Sequence, residues 1–159
     1  NMKIYKNFID KDHCNKMNEV MLGLEFPWFY VEHQTKRDSS FMFHCFYRAD
    51  EINSSHYHLV EPILKKLNVE KIIKIRANLC LKRPMKNAWH ADFNKKHNLT
   101  PKSKVAIYYL NTNNGHTVFK NKKVKSEKNK IVIFNGDVEH KAEYQTDKDT
   151  RMVINFNYE

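Results

Sequence analysis

The sequence predicts a mainly β fold, a barrel or sandwich with α-helices packed on one outer face. Three observations carry that expectation. Helical periodicity is confined to the first 69 of 159 residues. From residue 70 the chain breaks into seven strand-length segments, at about 70–82, 88–93, 104–111, 116–120, 130–134, 140–145 and 150–158. Two of these segments alternate apolar and polar residues with the period of two that gives a strand two different faces.

Residues 3–8 (Lys-Ile-Tyr-Lys-Asn-Phe) read as a short strand. Asp10 or Asp12 then caps a helix whose Met17, Val20, Met21 and Leu24 share one face, with Gly23 near its end. Aromatic-rich strands follow at 26–31 and 41–47, joined by a polar loop. Ser54 or Ser55 caps a second helix, in which Val60, Ile63, Leu64 and Leu67 form an apolar stripe and Asn68 is suited to end it. Beyond residue 70, turn chemistry at Arg83-Pro84, 98–101, 111–115, Asn135-Gly136-Asp137 and 146–150 separates the strands. In the last strand Met152, Ile154, Phe156 and Tyr158 share one face, while Arg151, Val153, Asn155 and Asn157 share the other. The first long strand sets Ile73, Ile75, Ala77, Leu79 and Leu81 against Arg76, Asn78 and Cys80. If the apolar faces meet the helices, the polar faces line an interior pocket; an exposed polar face has the same pattern. No repeat or linker interrupts the chain. The expected organisation is one domain over 1–159, with a support layer at 1–69 and a barrel core at 70–158.

Composition excludes several classes. Apolar and aromatic contents of 41% and 13% belong to a globular chain, not a disordered one. No apolar run approaches the roughly 18 residues a membrane span needs, and no signal-like segment opens the chain, so a cytoplasmic location is expected. Cys14, Cys45 and Cys80 lack any Cys-x-x-Cys spacing, which argues for reduced thiols and against structural zinc. Three glycines are too few for phosphate-cradling loops. A net charge of +10 permits nucleic acid or acidic partners, but the basic residues are dispersed and the 120–130 lysine run reads first as a solvated hairpin.

The stretch with metal-binding character is His90-Ala91-Asp92. Two positions apart on an extended strand, the imidazole and carboxylate point the same way and can grip one ion together. A second His from a later strand, such as His140, completes two imidazoles and one carboxylate. That set leaves half of an octahedral iron's positions open, the arrangement of non-haem Fe(II) oxygenases. The spacing alone is weak, since nine His and eight Asp in this chain give roughly 0.45 chance matches. Taken singly, His140 also reads as a turn histidine, Arg151 as a surface cation and Tyr109 as barrel core. His56-Tyr57-His58 lies at a helix start, where that spacing splays the rings, and reads as surface. His33, His44, His97 and His116 show no partners in the pattern.

Several stretches together resemble the Fe(II)/2-oxoglutarate-dependent dioxygenases. They are His90-Ala91-Asp92, Val105-Ala106-Ile107-Tyr108-Tyr109-Leu110-Asn111, Asn114-Gly115, Ile131-Val132-Ile133-Phe134, His140, and Arg151-Met152-Val153-Ile154-Asn155-Phe156. Their order and spacing, over a little more than half of the chain, are similar to the prolyl-4-hydroxylase-like branch, including small bacteriophage members. The resemblance implies a double-stranded β-helix, a jelly-roll or cupin-like barrel. It implies Fe(II) held by His90, Asp92 and His140, with 2-oxoglutarate and O₂ as co-substrates and ascorbate as a supporting reductant. By the same resemblance Arg151 pairs with the far carboxylate of 2-oxoglutarate, where a planar fork suits a planar anion. Tyr109 matches a tyrosine that bonds that carboxylate. Cys80 stands where relatives often carry another cofactor-facing tyrosine, which leaves Asn78 as the polar contact from that strand.

The expected activity is hydroxylation of a C–H bond, with a protein or peptide residue as substrate. Relatives acting on prolyl peptides carry aromatic and basic groups at the pocket mouth. The matching positions here are Asn87, Lys102 and Asn157, so only a basic group is kept. Lys82, Arg83, Lys86, Lys95, Lys96 and Lys102 either flank the entrance or are solvated lysines on a loop. The alternatives are an oxidative demethylase of nucleic acid, favoured by charge, and a non-catalytic barrel that binds without turnover. A zinc or manganese cupin is disfavoured because Asp92 stands where its second His belongs. Oligomeric state is not legible.

Overall fold

The computed structural model describes residues 1–32, 40–82, 89–92, 100 and 102–159. Its strands are β1 (Lys3–Tyr5), β2 (Phe29–Val31), β3 (Phe41–Arg48), β4 (Glu51–Ile52), β5 (Ile72–Leu81), β6 (Lys104–Tyr109), β7 (His116–Phe119), β8 (Lys123–Lys125), β9 (Lys130–Asn135), β10 (His140–Glu143) and β11 (Thr150–Tyr158). An eight-stranded sheet runs β1-β9-β6-β11-β5-β3-β2, with β4 on β3. A three-stranded sheet runs β10-β7-β8. All the named strand pairs are antiparallel. Among the described residues two α-helices cover one face of the large sheet, as the sequence predicts, and no helix is long and apolar enough to cross a membrane.

The first helix, α1 (Lys11–Met21), begins where Asp10 accepts a 3.2 Å hydrogen bond from the His13 N–H. It buries Cys14, Met17 and Met21. Leu24, expected on the same face, lies beyond the last turn and is fully exposed. The second helix, α2 (Glu61–Leu67), does not start at Ser54 or Ser55. Ser54 Oγ instead hydrogen-bonds His44 Nε2 at 2.6 Å and accepts from the His56 N–H at 3.0 Å. A 3₁₀ turn, Tyr57–Leu59, intervenes, and Pro62 occupies the first turn of α2, where a missing N–H costs nothing. Asn68 ends α2 in the left-handed region (φ 54°, ψ 50°), which a short polar side chain tolerates.

Strand alternation builds two cores. On β5 and β11, Ile75, Ala77, Leu79, Met152, Ile154, Phe156 and Tyr158 pack outward with Met17, Met21, Leu59, Ile63 and Leu64 of the helical layer. Each such side chain contributes about 1.5–3 kcal/mol on burial, which anchors the large sheet as a rigid wall. Inward-facing residues make the second core: Val105, Ile107 and Tyr109 of β6, Phe119 of β7, Val124 of β8, Val132 and Phe134 of β9 and Val153 of β11. That core joins the two sheets. The face carrying Arg76, Asn78, Cys80, Arg151, Asn155 and Asn157 therefore points to the barrel interior.

Three further expectations are modified by the structure. The segment at 88–93 contains no extended strand among its described residues; it makes an isolated bridge, His90 with His140, and residues 93–99 lie outside the description. His44 has partners after all: its Nδ1 lies 2.8 Å from the Pro27 carbonyl oxygen, its Nε2 at Ser54, and burial lowers its pKa. The lysine run is a hairpin, as expected, but Val124 of β8 is buried between the exposed Lys123 and Lys125.

Candidate metal and co-substrate site

His140 opens β10 and His90 faces it across the bridge, with backbone N–H···O distances of 2.9 and 2.8 Å in the two directions. The two ring centroids are 4.3 Å apart. Asp92 Oδ1 stands 3.6 Å from His90 Nε2 and 3.6 Å from His140 Nε2. One ligand atom from each of the three residues lies within 4.8 Å of the others, a spacing that one ion can bridge. His140 is buried, Asp92 half-buried and the His90 side chain about half exposed, so the cluster is open on one side.

His140 is held from several directions. Its Nδ1 is 3.0 Å from the Val138 carbonyl oxygen, an arrangement in which Nδ1–H donates and Nε2 keeps its lone pair for a ligand. Phe134 packs edge-on to the ring at 4.9 Å, and Phe119 lies at 6.1 Å. Burial lowers the His140 pKa, with Asp92 acting in the opposite direction. The imidazole is thereby kept in the neutral form that binds metal.

Arg151 is 4% exposed. Its Nε donates to Ser126 Oγ at 3.1 Å and its Nη2 to Thr117 Oγ1 at 3.2 Å. Among the described residues its hydrogen-bond partners are these two hydroxyls, and no carboxylate lies within 4.0 Å. A buried guanidinium so held is suited to an anion from outside the chain. Tyr109 OH meets Thr117 Oγ1 at 2.6 Å, and the Tyr109 ring centroid is 5.9 Å from Arg151 Cζ. Asn78 lies two positions from Cys80, the register partner of Arg151, and its Oδ1 is buried with no hydrogen-bond partner among the described residues. A buried acceptor of this kind on the same inner wall as a buried cation can take a donor from a polar ligand.

Thr117 and Ser126 have no place in the sequence reading, yet they hold Arg151. Thr117 had a signal: two residues from Phe119, it shares that residue's inward face of β7. Ser126 had none, since it follows a lysine run. Asn111 also acts here, donating to the Thr150 carbonyl at 2.9 Å and accepting from the Met152 N–H at 3.0 Å, so it brackets Arg151 in the chain. A Cβ at Gly115 would meet Asn113 Oδ1 at 2.8 Å, Arg151 Cδ at 3.0 Å and the Glu143 carbonyl at 3.0 Å. Gly115→Ala is therefore expected to displace the Arg151 stem and raise the 2-oxoglutarate KM several-fold; an unchanged KM shows that the loop absorbs the methyl.

Of the residues expected at the mouth, Lys102 is exposed, Asn157 is half-buried on the inner face of β11, and Asn87 lies outside the described residues.

The family model for the 2OG-Fe(II) oxygenase superfamily matches residues 78–159, the stretch that carries every residue of this site. The chain belongs to this superfamily. It is an Fe(II)- and 2-oxoglutarate-dependent dioxygenase, using O₂, with the double-stranded β-helix fold. Solved structures share that fold at low identity. A viral collagen prolyl hydroxylase from Paramecium bursaria Chlorella virus-1, in complex with 2-oxoglutarate, has a TM-score of 0.63 at 12% identity, over 98% of this chain and 94% of that one. A 2OG-Fe(II) oxygenase family oxidoreductase from Burkholderia pseudomallei has a TM-score of 0.70 at 11% identity, over 99% and 84%. A Trichoplax adhaerens prolyl hydroxylase in complex with a hypoxia inducible factor peptide fragment has a TM-score of 0.63 at 13% identity, over 99% and 83%. No curated protein matches the sequence.

Proposed function

We propose that this dioxygenase hydroxylates a C–H bond of a protein or peptide residue, with Fe(II) on His90, Asp92 and His140 and the far carboxylate of 2-oxoglutarate on Arg151. The observation that carries the assignment is the pairing of a three-ligand cluster within 4.8 Å with a buried guanidinium held by hydroxyls. When bound, Fe(II) with 2-oxoglutarate and O₂ supplies oxidative decarboxylation to succinate and CO₂, with the second oxygen atom passing to the substrate C–H bond.

The chain's own residues do the rest. The Val138 carbonyl fixes the His140 tautomer, and Phe119 and Phe134 shield that ring from water. Thr117 and Ser126 aim Arg151 at the co-substrate. Tyr109 and the unpartnered Asn78 Oδ1 supply polar contacts along the same wall, Tyr109 as donor through its hydroxyl. Lys102 and Asn157 are assigned to the substrate side, as is Asn87, which lies outside the described residues.

The fold shared with prolyl hydroxylases, one of them in complex with a peptide, supports a peptide substrate. The test is incubation of the enzyme with Fe(II), 2-oxoglutarate, ascorbate and an arrayed peptide library. A peptide gaining the mass of one oxygen, with stoichiometric succinate, is the expected result. Turnover on methylated oligonucleotides, with binding that weakens steeply as salt rises, would instead select the nucleic-acid demethylase that the +10 charge favours.

A further inference from the structure

Further along the barrel from Arg151, β5 and β11 turn four polar side chains inward. Lys74 is paired with Asn157 and Arg76 with Asn155. All four are half-buried, whereas their neighbours Ile75, Ile154 and Phe156 are sealed under the helices. The Arg76 guanidinium lies 5.3 Å from the centre of the Phe41 ring and 5.9 Å from that of Phe43, so two aromatic rings of β3 floor it.

The wall's place relative to the metal follows from register. Arg151 is opposite Cys80, and Arg76 is four residues further along β5, roughly 13 Å away at the rise of a strand. On the small sheet, Arg151 touches Thr117, while His140 is paired with Phe119, two residues further on. Phe134, 4.9 Å from the His140 ring, pairs with Val105 of β6, which pairs with Asn157 of β11, so the cluster stands toward the Lys74 and Asn157 end of the barrel. The metal cluster and Arg76 thus both lie further along the barrel than Arg151. The co-substrate spans from Arg151 to the cluster, and the wall of Lys74, Arg76, Asn155 and Asn157 borders the space left for the group to be oxidised.

Resting on the peptide reading above, we infer that Arg76, flanked by Lys74, is a specificity residue that holds the carboxylate of an acidic residue beside the oxidised position. Asn155 and Asn157 hydrogen-bond the peptide backbone; they are two residues apart on one strand face, the repeat of an extended peptide. With Asp92 committed to a divalent cation, the cations Lys74 and Arg76 set the field along this wall. That field draws in an acidic group and repels a basic one. A phosphodiester chain fits less well, because the Arg76 guanidinium is half-buried and backed by two rings, whereas a polyanion is bound by a row of exposed cations.

The test compares matched peptides that differ only by Asp→Asn or Glu→Gln near the oxidised residue, read as kcat/KM for hydroxylated product. Wild-type enzyme is expected to favour the acidic member by about tenfold or more, and Arg76→Gln to bring that ratio close to one. Arg76→Glu is expected to invert it toward a peptide with Lys at the same place. Equal turnover of acidic and amide peptides by wild type overturns this inference and leaves the peptide reading standing. Turnover of oligonucleotides and of no peptide overturns both. The wild-type comparison decides the matter even if an Arg76 variant fails to fold.

Discussion

Replacing Asp92 with alanine is expected to abolish iron retention and succinate release together. The carboxylate is the one anionic member of the cluster, 3.6 Å from each imidazole nitrogen, and without it two neutral rings face a dication. Loss of a supporting group behind a metal ligand typically costs 10–100-fold in affinity, so loss of the ligand itself is expected to cost at least about 100-fold. His140→Ala has the same effect, since that ring is aimed by Val138 and walled by Phe134. The measurements are iron content after desalting and 2-oxoglutarate turnover. Asp92→Ala enzyme that keeps one iron and full turnover would sink the ligand assignment. The pH profile adds a sign. Burial lowers the His140 pKa, so this ligand stays neutral below its ordinary value of 6.5. Iron retention is expected to persist below pH 6.5 and to fall as pH drops through the lowered value.

The sheet was legible because apolar side chains recur at even spacing. Residues 152, 154, 156 and 158 pack against the helices, and that single alternation set which way Arg151 had to point. The caps were half legible. Asp10 keeps its own helix, whereas Ser54 is drawn away by His44, a partner ten residues distant that no local pattern reveals. Leu24 failed because periodicity continues on paper after the backbone has turned. The pairing of β1 with β9 and of β3 with β5 joins residues far apart in sequence, and alternation within one strand is silent about its neighbours.

The site divides in the same way. His90, Asp92, His140, Tyr109 and Arg151 share a spacing pattern, and the fold draws the three candidate ligands to within 4.8 Å. Thr117 and Ser126 were missed, and Asn111 was noticed only within a motif, because their work is positional. A hydroxyl that aims a guanidinium looks like any strand Thr or Ser until the guanidinium is seen against it. Gly115 was noticed only as part of a motif; the reason for it is the Arg151 stem 3.0 Å from where its Cβ would stand.

Arg151→Ala is expected to raise the 2-oxoglutarate KM by roughly tenfold to a hundredfold, the loss of one charge-assisted contact in a buried site. The effect falls on co-substrate binding because the guanidinium is held by Ser126 and Thr117 and not by a metal ligand. Turnover at saturating 2-oxoglutarate is therefore expected to drop less than KM rises. Arg151→Lys should recover only part of the loss: an ammonium keeps the charge but cannot match both carboxylate oxygens while bonding two hydroxyls. Thr117→Val, which removes one of those hydroxyls, is expected to move KM in the same direction by a smaller factor. The decisive measurement is KM for 2-oxoglutarate beside iron content in the same preparations. A raised KM with full iron loading places Arg151 on the co-substrate. An unchanged KM would mean that the buried cation serves the barrel alone, and the far carboxylate must then be bound elsewhere.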